Sequence, residues 1–137
     1  MKMEKSCGAV VFAKVNNEIK FLIEEMVEGH FAFPKGKVEN NETDIETAKR
    51  EIKEETGLDV MFLVSFKETT HYYPIKDVEK KVVYFLAEAK CISDLKVQKE
   101  EVKEIYFLNY KEALNALTYE NDKCVLSEAW EYLNNIK

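Results

Sequence analysis

The sequence predicts an α/β fold, a mixed central sheet covered by helices on its faces. Three observations predict it. Apolar, β-forming runs come first, one amphipathic helix interrupts them, further β runs follow, and two helices close the chain; that order suits a sheet with helices packed on it. The 137 residues are 46% hydrophobic and 34% charged, enough for one globular core and too apolar for a disordered chain. A single domain over residues 1–137 is therefore expected. Pro and Gly are scarce, and three of the four glycines and one of the two prolines fall between residues 29 and 57. Special backbone geometry is concentrated there.

The elements follow in order. Residues 6–13 and 19–25 read as strands, with Asn16-Asn17 as the turn between them. Residues 28–41 read as irregular loop with a short extended piece at Phe31-Ala32-Phe33. A helix follows: Thr43 and Glu46 make a capping box, Ile45, Ala48 and Ile52 recur at helical spacing, and Gly57 ends it. Strands are expected at 60–66 and 81–89, the second dense in β formers from Val82 to Leu86. Residues 67–80, with His71, Tyr72, Tyr73 and Pro74, read as a polar loop. A shorter strand at 105–108 and helices near 111–117 and 121–134 complete the chain, with Val125, Leu126, Ala129, Trp130 and Leu133 at helical spacing as core.

The net charge of −6 comes from 26 acidic and 20 basic residues. That balance argues against a non-specific binder of nucleic acid backbone. A small phosphate-bearing substrate stays compatible, because local charge matters more than the total. Only one basic residue is an arginine, Arg50. No apolar run approaches the roughly 20 residues that a membrane-spanning helix needs, and the apolar stretch at 7–13 suits a strand better than a signal core. An unprocessed, cytoplasmic protein without membrane attachment is expected. Cys7, Cys91 and Cys124 are odd in number and far apart, which fits neither a disulfide framework nor a structural zinc site; they read as buried thiols.

The segment that carries chemistry is GKVENNETDIETAKREIKEETGL, residues 36–58. With Ile45 at 0° on a helical wheel, Ala48 and Ile52 lie at about 300° and 340°, and Glu51, Glu54 and Glu55 at about 240°, 180° and 280°. Three carboxylates therefore share an arc beside the apolar stripe. Lys49 and Lys53 point elsewhere, and Arg50 is spaced to reach Glu54. A solvated charged face is one reading of such a helix. A site for a hard divalent cation, which would relieve the crowding of like charges, is the other.

The segment matches the Nudix box, G-x5-E-x7-R-E-U-x-E-E-x-G-U with U aliphatic: Gly36, Glu42, Arg50, Glu51, Ile52, Glu54, Glu55, Gly57 and Leu58 fill every fixed position. The resemblance implies a Nudix α/β/α sandwich with a mixed central sheet and the box as loop-helix-loop. It implies hydrolysis of a nucleoside diphosphate linked to another group. It also implies Mg²⁺ or Mn²⁺ held by Glu51, Glu54 and Glu55 with Gly36, and Arg50 orienting the glutamates. A planar five-donor fork can fix a carboxylate in a way that lysine cannot.

The flanks resemble the diadenosine tetraphosphate hydrolase branch of that family, in its animal and bacterial form. The carrying residues are the run Phe33-Pro34-Lys35-Gly36, then Glu42-Thr43-Asp44, then residues 81–88, and Glu100-Glu101-Val102 before 105–108. Lys37 departs from the branch, which usually has His there, and Asn40-Asn41 replace a Pro-Gly turn. The branch implies asymmetric cleavage of diadenosine tetraphosphate to ATP and AMP, with His30 and Lys35 near the phosphates. Tyr73, Lys76 and Lys80 would lie in a loop facing them, Glu101 would be an extra metal ligand or the base, and Tyr119 would stack on a base. The residues alone leave the bland readings open: a loop histidine, solvated lysines, and a packing tyrosine at Tyr119 or Tyr84. An RNA 5′-pyrophosphohydrolase, or a hydrolase of another nucleoside-diphosphate-linked substrate, shares flank features. A Nudix module that senses a nucleotide without cleaving it is the alternative of another class. Such modules typically lose box glutamates, and here all are present.

Overall fold

The structure, a computed structural model, describes residues 2–136. Its elements are β1 (Lys2–Val15), β2 (Glu18–Met26), β3 (Phe31–Ala32), β4 (Lys35–Lys37), α1 (Asp44–Thr56), β5 (Val60–Ile75), β6 (Val78–Ala89), β7 (Val102–Leu108), α2 (Tyr110–Ala116) and α3 (Glu120–Asn135), with a 3₁₀ turn at Ile92–Asp94. The strands make one sheet in the order β3-β2-β1-β6-β5, with β4 also paired to β1 and β7 to β2. β1 and β6 run parallel while the other pairs are antiparallel, so the sheet is mixed.

The central strands are buried on both sides, which is why they read as continuous apolar runs. Cys7, Ala9, Val11 and Ala13 of β1 and Val83, Phe85 and Ala87 of β6 meet Ala48 and Ile52 of α1. Their alternating neighbours, Val10, Phe12, Val82, Tyr84 and Leu86, meet Ala113 and Leu117 on the α2 side and Val125, Leu126, Ala129 and Leu133 of α3. Trp130 packs at the margin of that second layer, its ring stacked on Tyr110 at 4.7 Å. Among the described residues no helix is long and apolar enough to cross a membrane.

Local sequence explains the joints. Asn16 and Asn17 both take positive φ, 53° and 67°, which a two-residue hairpin with the twist of its strands requires. Both halves of the Thr43–Glu46 capping box form, and Gly57 closes α1 at φ 75° with its N–H donating to the Lys53 carbonyl. Asn40, at φ 53°, supplies the left-handed turn for which the sequence has no glycine.

Two expectations need correction. Residues 67–80 are not a loop. They continue β5 and β6 into a long hairpin whose turn is Lys76-Asp77, Asp77 having φ 64°. The extension is rich in Thr and Tyr and solvated on both faces, so no apolar alternation announces it; Pro74 is tolerated because β5 is an edge strand with irregular pairing between Tyr72 and Ile75. And only Cys7 is a buried thiol, whereas Cys91 and Cys124 are exposed.

One feature of the sheet positions the site. β1 pairs with β2 from Phe12↔Phe21 to Val15↔Glu18, and with β4 from Ser6↔Lys37 to Gly8↔Lys35. Beyond Phe21, β2 turns to β7 and β3 instead. Where β2 and β4 part, α1 brings its carboxylates against the sheet.

Candidate active site

Arg50 organises the carboxylate face of α1. Its Nε and Nη2 donate to the two oxygens of Glu42 at 2.6 and 3.0 Å, a bidentate grip. Nη1 donates to Glu51 at 2.8 Å and to Glu54 at 3.1 Å, and Nη2 also reaches the Lys37 carbonyl at 3.0 Å. The guanidinium hydrogen bonds, helped by the Glu39 backbone N–H and the Thr47 hydroxyl, hold the Glu42 carboxyl down at about 2. Thus the lone arginine does more than the i,i+4 contact its spacing suggests: it ties the loop before α1 to two glutamates on the helix.

Glu55 lies one turn beyond Glu51, on the side facing the sheet, and is only 4% exposed. It meets Glu24 of β2, 1% exposed, with the two carboxyls in hydrogen-bonding range and Glu51 also in range of Glu55. Glu24 Oε2 and Glu55 Oε1 have no hydrogen-bond partner among the described residues. Burial is the main cause that pushes both carboxyls upward. The Glu24 charge adds to it at Glu55, while at Glu24 the nearby Lys35 works in the opposite direction. Two interior carboxylates this close cannot both be ionised without a cation between them.

The donor set fits a hard divalent cation, whose ligands are carboxylate and carbonyl oxygens. Unpartnered carboxylate oxygens are present in the interior, Glu51 stands beside them, and Gly36 faces the same place: a Cβ there would strike the Glu51 carboxyl. Among the described residues no three such side chains form a closed cage, and Arg50 hydrogen-bonds both Glu51 and Glu54. An ion here would keep water in its shell, as Mg²⁺ commonly does. Glu54 is about half exposed and Glu101, ahead of β7, lies close enough for its charge to act on Glu24.

Lys35 comes from β4, and its charge acts on both Glu24 and Asp122. The His30 ring lies 5.8 Å from that of Tyr119, the half-exposed residue preceding α3. The other expected substrate residues separate. Lys80 sits on the α3 face, sharing Glu4 with Lys37 at 3.6 and 3.7 Å. Tyr73 donates to Glu79, on the opposite face of the hairpin from Lys80. Lys76 is at the hairpin tip, beyond Val78, which lies six residues and so roughly 20 Å along β6 from Tyr84 of the Lys35 row. The structure does not bring Tyr73, Lys76 and Lys80 together as one phosphate-facing loop.

Residues 8–128 match the family model of the NUDIX domain. The chain belongs to the NUDIX family. The bis(5′-nucleosyl)-tetraphosphatase [asymmetrical] of Rattus norvegicus is 33% identical to this Nudix chain over 141 residues, covering 94% of it and 95% of the relative. The protein of the same description from Sus scrofa is also 33% identical over the same coverage. An mRNA-decapping protein of African swine fever virus is 46% identical over 57 residues only, 39% of this chain and 23% of that protein. Among solved structures, a C. elegans Ap4A hydrolase binary complex superposes with a TM-score of 0.89 at 25% identity, covering 97% of this chain and 99% of that one. The Nudix chain is a pyrophosphohydrolase acting on phosphoanhydride bonds.

Sequence reasoning missed Glu24 and Asp122. Glu24 follows Phe21-Leu22-Ile23 in a strand whose neighbours are all interior, and a charge at the next position of such a run was the available signal. Asp122, in the first turn of α3, looks from sequence like an ordinary partner of the helix dipole.

Proposed function

We propose that this Nudix enzyme hydrolyses diadenosine tetraphosphate asymmetrically to ATP and AMP with Mg²⁺ or Mn²⁺. The observation that carries the hydrolytic site is the interior pair Glu24–Glu55, with unpartnered oxygens, beside Glu51 and near Lys35. The substrate reading rests on relatives described as asymmetrical bis(5′-nucleosyl)-tetraphosphatases that align with this chain over nearly their whole length.

The roles follow from chemistry. Glu24, Glu51, Glu54 and Glu55, with Glu101 and the Gly36 backbone, would hold the cation; when bound it neutralises phosphate charge and makes a bound water more acidic. Arg50 keeps Glu51 and Glu54 oriented. Lys35 and His30 meet the phosphate chain, Lys80 extends that positive face, and Tyr119 stacks on a base. Water forms the new P–O bond, the bridging P–O bond breaks with its electron pair on the departing phosphate oxygen, and a carboxylate, Glu101 in this reading, accepts the water proton. No covalent enzyme intermediate is needed.

Product analysis in ¹⁸O-labelled water tests the reading. ATP and AMP are expected. Two ADP molecules would overturn the asymmetric assignment. Pyrophosphate release from triphosphorylated RNA, with diadenosine tetraphosphate untouched, would move the substrate to RNA 5′ ends, a reading the net charge of −6 does not favour.

A further inference from the structure

Across the sheet, Lys35 of β4 lies opposite Gly8 of β1, and Gly8 lies opposite Tyr84 of β6. Lys35 and Tyr84 therefore project to one face, the face covered by α3. Gly8 leaves room for β4 beside β1: a Cβ there would strike the Pro34 carbonyl oxygen and stand 2.6 Å from the Lys35 Cβ. From α3, Asp122 meets this row. The Tyr84 hydroxyl donates to Asp122 Oδ1 at 2.9 Å in a buried contact. Asp122 is 5% exposed, and its Oδ2 has no hydrogen-bond partner among the described residues.

A buried carboxylate with an unpartnered oxygen is costly and calls for a countercharge. Burial raises the Asp122 carboxyl, and the Lys35 charge is the leading influence that works the other way, ahead of the Tyr84 hydrogen bond. Lys35 acts on Glu24 as well. Yet among the described residues Lys35 makes no ion pair within 4.0 Å. Its charge thus acts on two buried carboxylates, Glu24 toward α1 and Asp122 of α3, and it forms an ion pair with neither. Without a charge at Asp122, the pull of Glu24 and its neighbours would act on Lys35 unopposed, drawing it into the carboxylate site.

We propose that Asp122, fixed by the Tyr84 hydroxyl, is a positioning residue that holds the Lys35 ammonium out for the substrate's phosphate chain. This rests on the reading that Lys35 binds phosphate. It makes a prediction of sign. As a bare negative charge, Asp122 opposes anion binding, and its removal would tighten it. As a positioning residue, its removal weakens anion binding through Lys35.

The test is calorimetric titration of tripolyphosphate into the full-length protein at low ionic strength, with and without saturating Mg²⁺. K35A is expected to weaken binding. D122N is expected to weaken it by about 5- to 10-fold alone and to add nothing in the K35A background, the mark of one coupled pair. In turnover the same variant should raise KM while kcat holds. Tighter or unchanged tripolyphosphate binding in D122N overturns the proposal, as does a D122N effect that persists without Lys35. Adenosine affinity that falls in D122N while tripolyphosphate affinity holds would make Asp122 a base-reading residue instead, which also overturns it. Unchanged binding in K35A overturns the reading of Lys35 itself, an outcome separate from any D122N result. Should D122N not fold, Y84F carries the same cycle: a smaller weakening that vanishes with K35A supports the proposal, and one that persists overturns it.

Discussion

Replacing Glu55 by Gln should make the metal-free protein more stable and nearly inactive. Glu55 is 4% exposed and faces Glu24, so the pair holds a proton at neutral pH when no cation is present. Its ordinary value of 4.5 lies 2.5 units below pH 7, and at about 1.36 kcal/mol per unit the folded state gives up about 3 kcal/mol to keep that proton. The sign follows from linkage: a carboxyl whose folded pKa is raised stabilises below its unfolded pKa and loses that contribution as pH rises. The glutamine carries no such cost, and its amide can donate to Glu24. With an unfolding entropy of about 2.1 cal/mol/K per residue over 137 residues, 3 kcal/mol corresponds to about 10 °C in Tm. In EDTA at pH 7, E55Q should therefore melt about 10 °C above the parent, with the gap closing as pH falls toward 4.5. Mg²⁺ at 100 times the parent's Kd should nearly close that gap, adding about 2.7 kcal/mol to the parent and little to the variant. Turnover should fall by about two to three orders of magnitude. Thermal melts in EDTA and in Mg²⁺, run across that pH range, make the measurement. An E55Q protein no more stable than the parent in EDTA at pH 7, or one that gains equally from Mg²⁺, would refute the reasoning.

Three further outcomes are expected. R50K keeps the charge but loses the bidentate grip on Glu42 and the simultaneous reach to Glu51 and Glu54; turnover should drop about 10- to 100-fold, and unchanged turnover would reduce Arg50 to an ordinary ion pair. G36A puts a Cβ into the Glu51 carboxyl, so Mn²⁺ affinity should fall with the circular dichroism spectrum intact; unchanged affinity would remove Glu51 from the site. K80A should raise KM at low ionic strength and lose that effect as salt rises, while K76A at the hairpin tip should be silent; equal effects would bring the tip back to the substrate.

The box was legible because its chemistry demands fixed residue types at fixed spacing within one helix and its flanking loop. Arg50 stood out as the single arginine, and the capping box and Gly57 marked the helix ends. The buried runs of β1 and β6 were legible for the same local reason, apolar residues on both faces. What stayed hidden depends on contacts distant in sequence. That Glu24 meets Glu55 follows from β2 leaving β1 beyond Phe21, and that Asp122 meets Tyr84 follows from how α3 lies on the sheet. The outer hairpin was misread because a ladder of backbone hydrogen bonds needs no apolar pattern where both faces meet water.

The interior pair Glu24–Glu55, beside Glu51, is expected to seat the catalytic cation. Electron paramagnetic resonance of Mn²⁺ titrated into the parent, E24Q, E55Q and, as a neighbour outside the pair, E54Q tests it most directly, because it reads the ion and not the turnover. Binding should be strong in the parent, weakened by about 10- to 100-fold or more in E24Q and E55Q, and less affected in E54Q, whose side chain is half exposed and held by Arg50. Parent-like Mn²⁺ affinity in both E24Q and E55Q would contradict the claim.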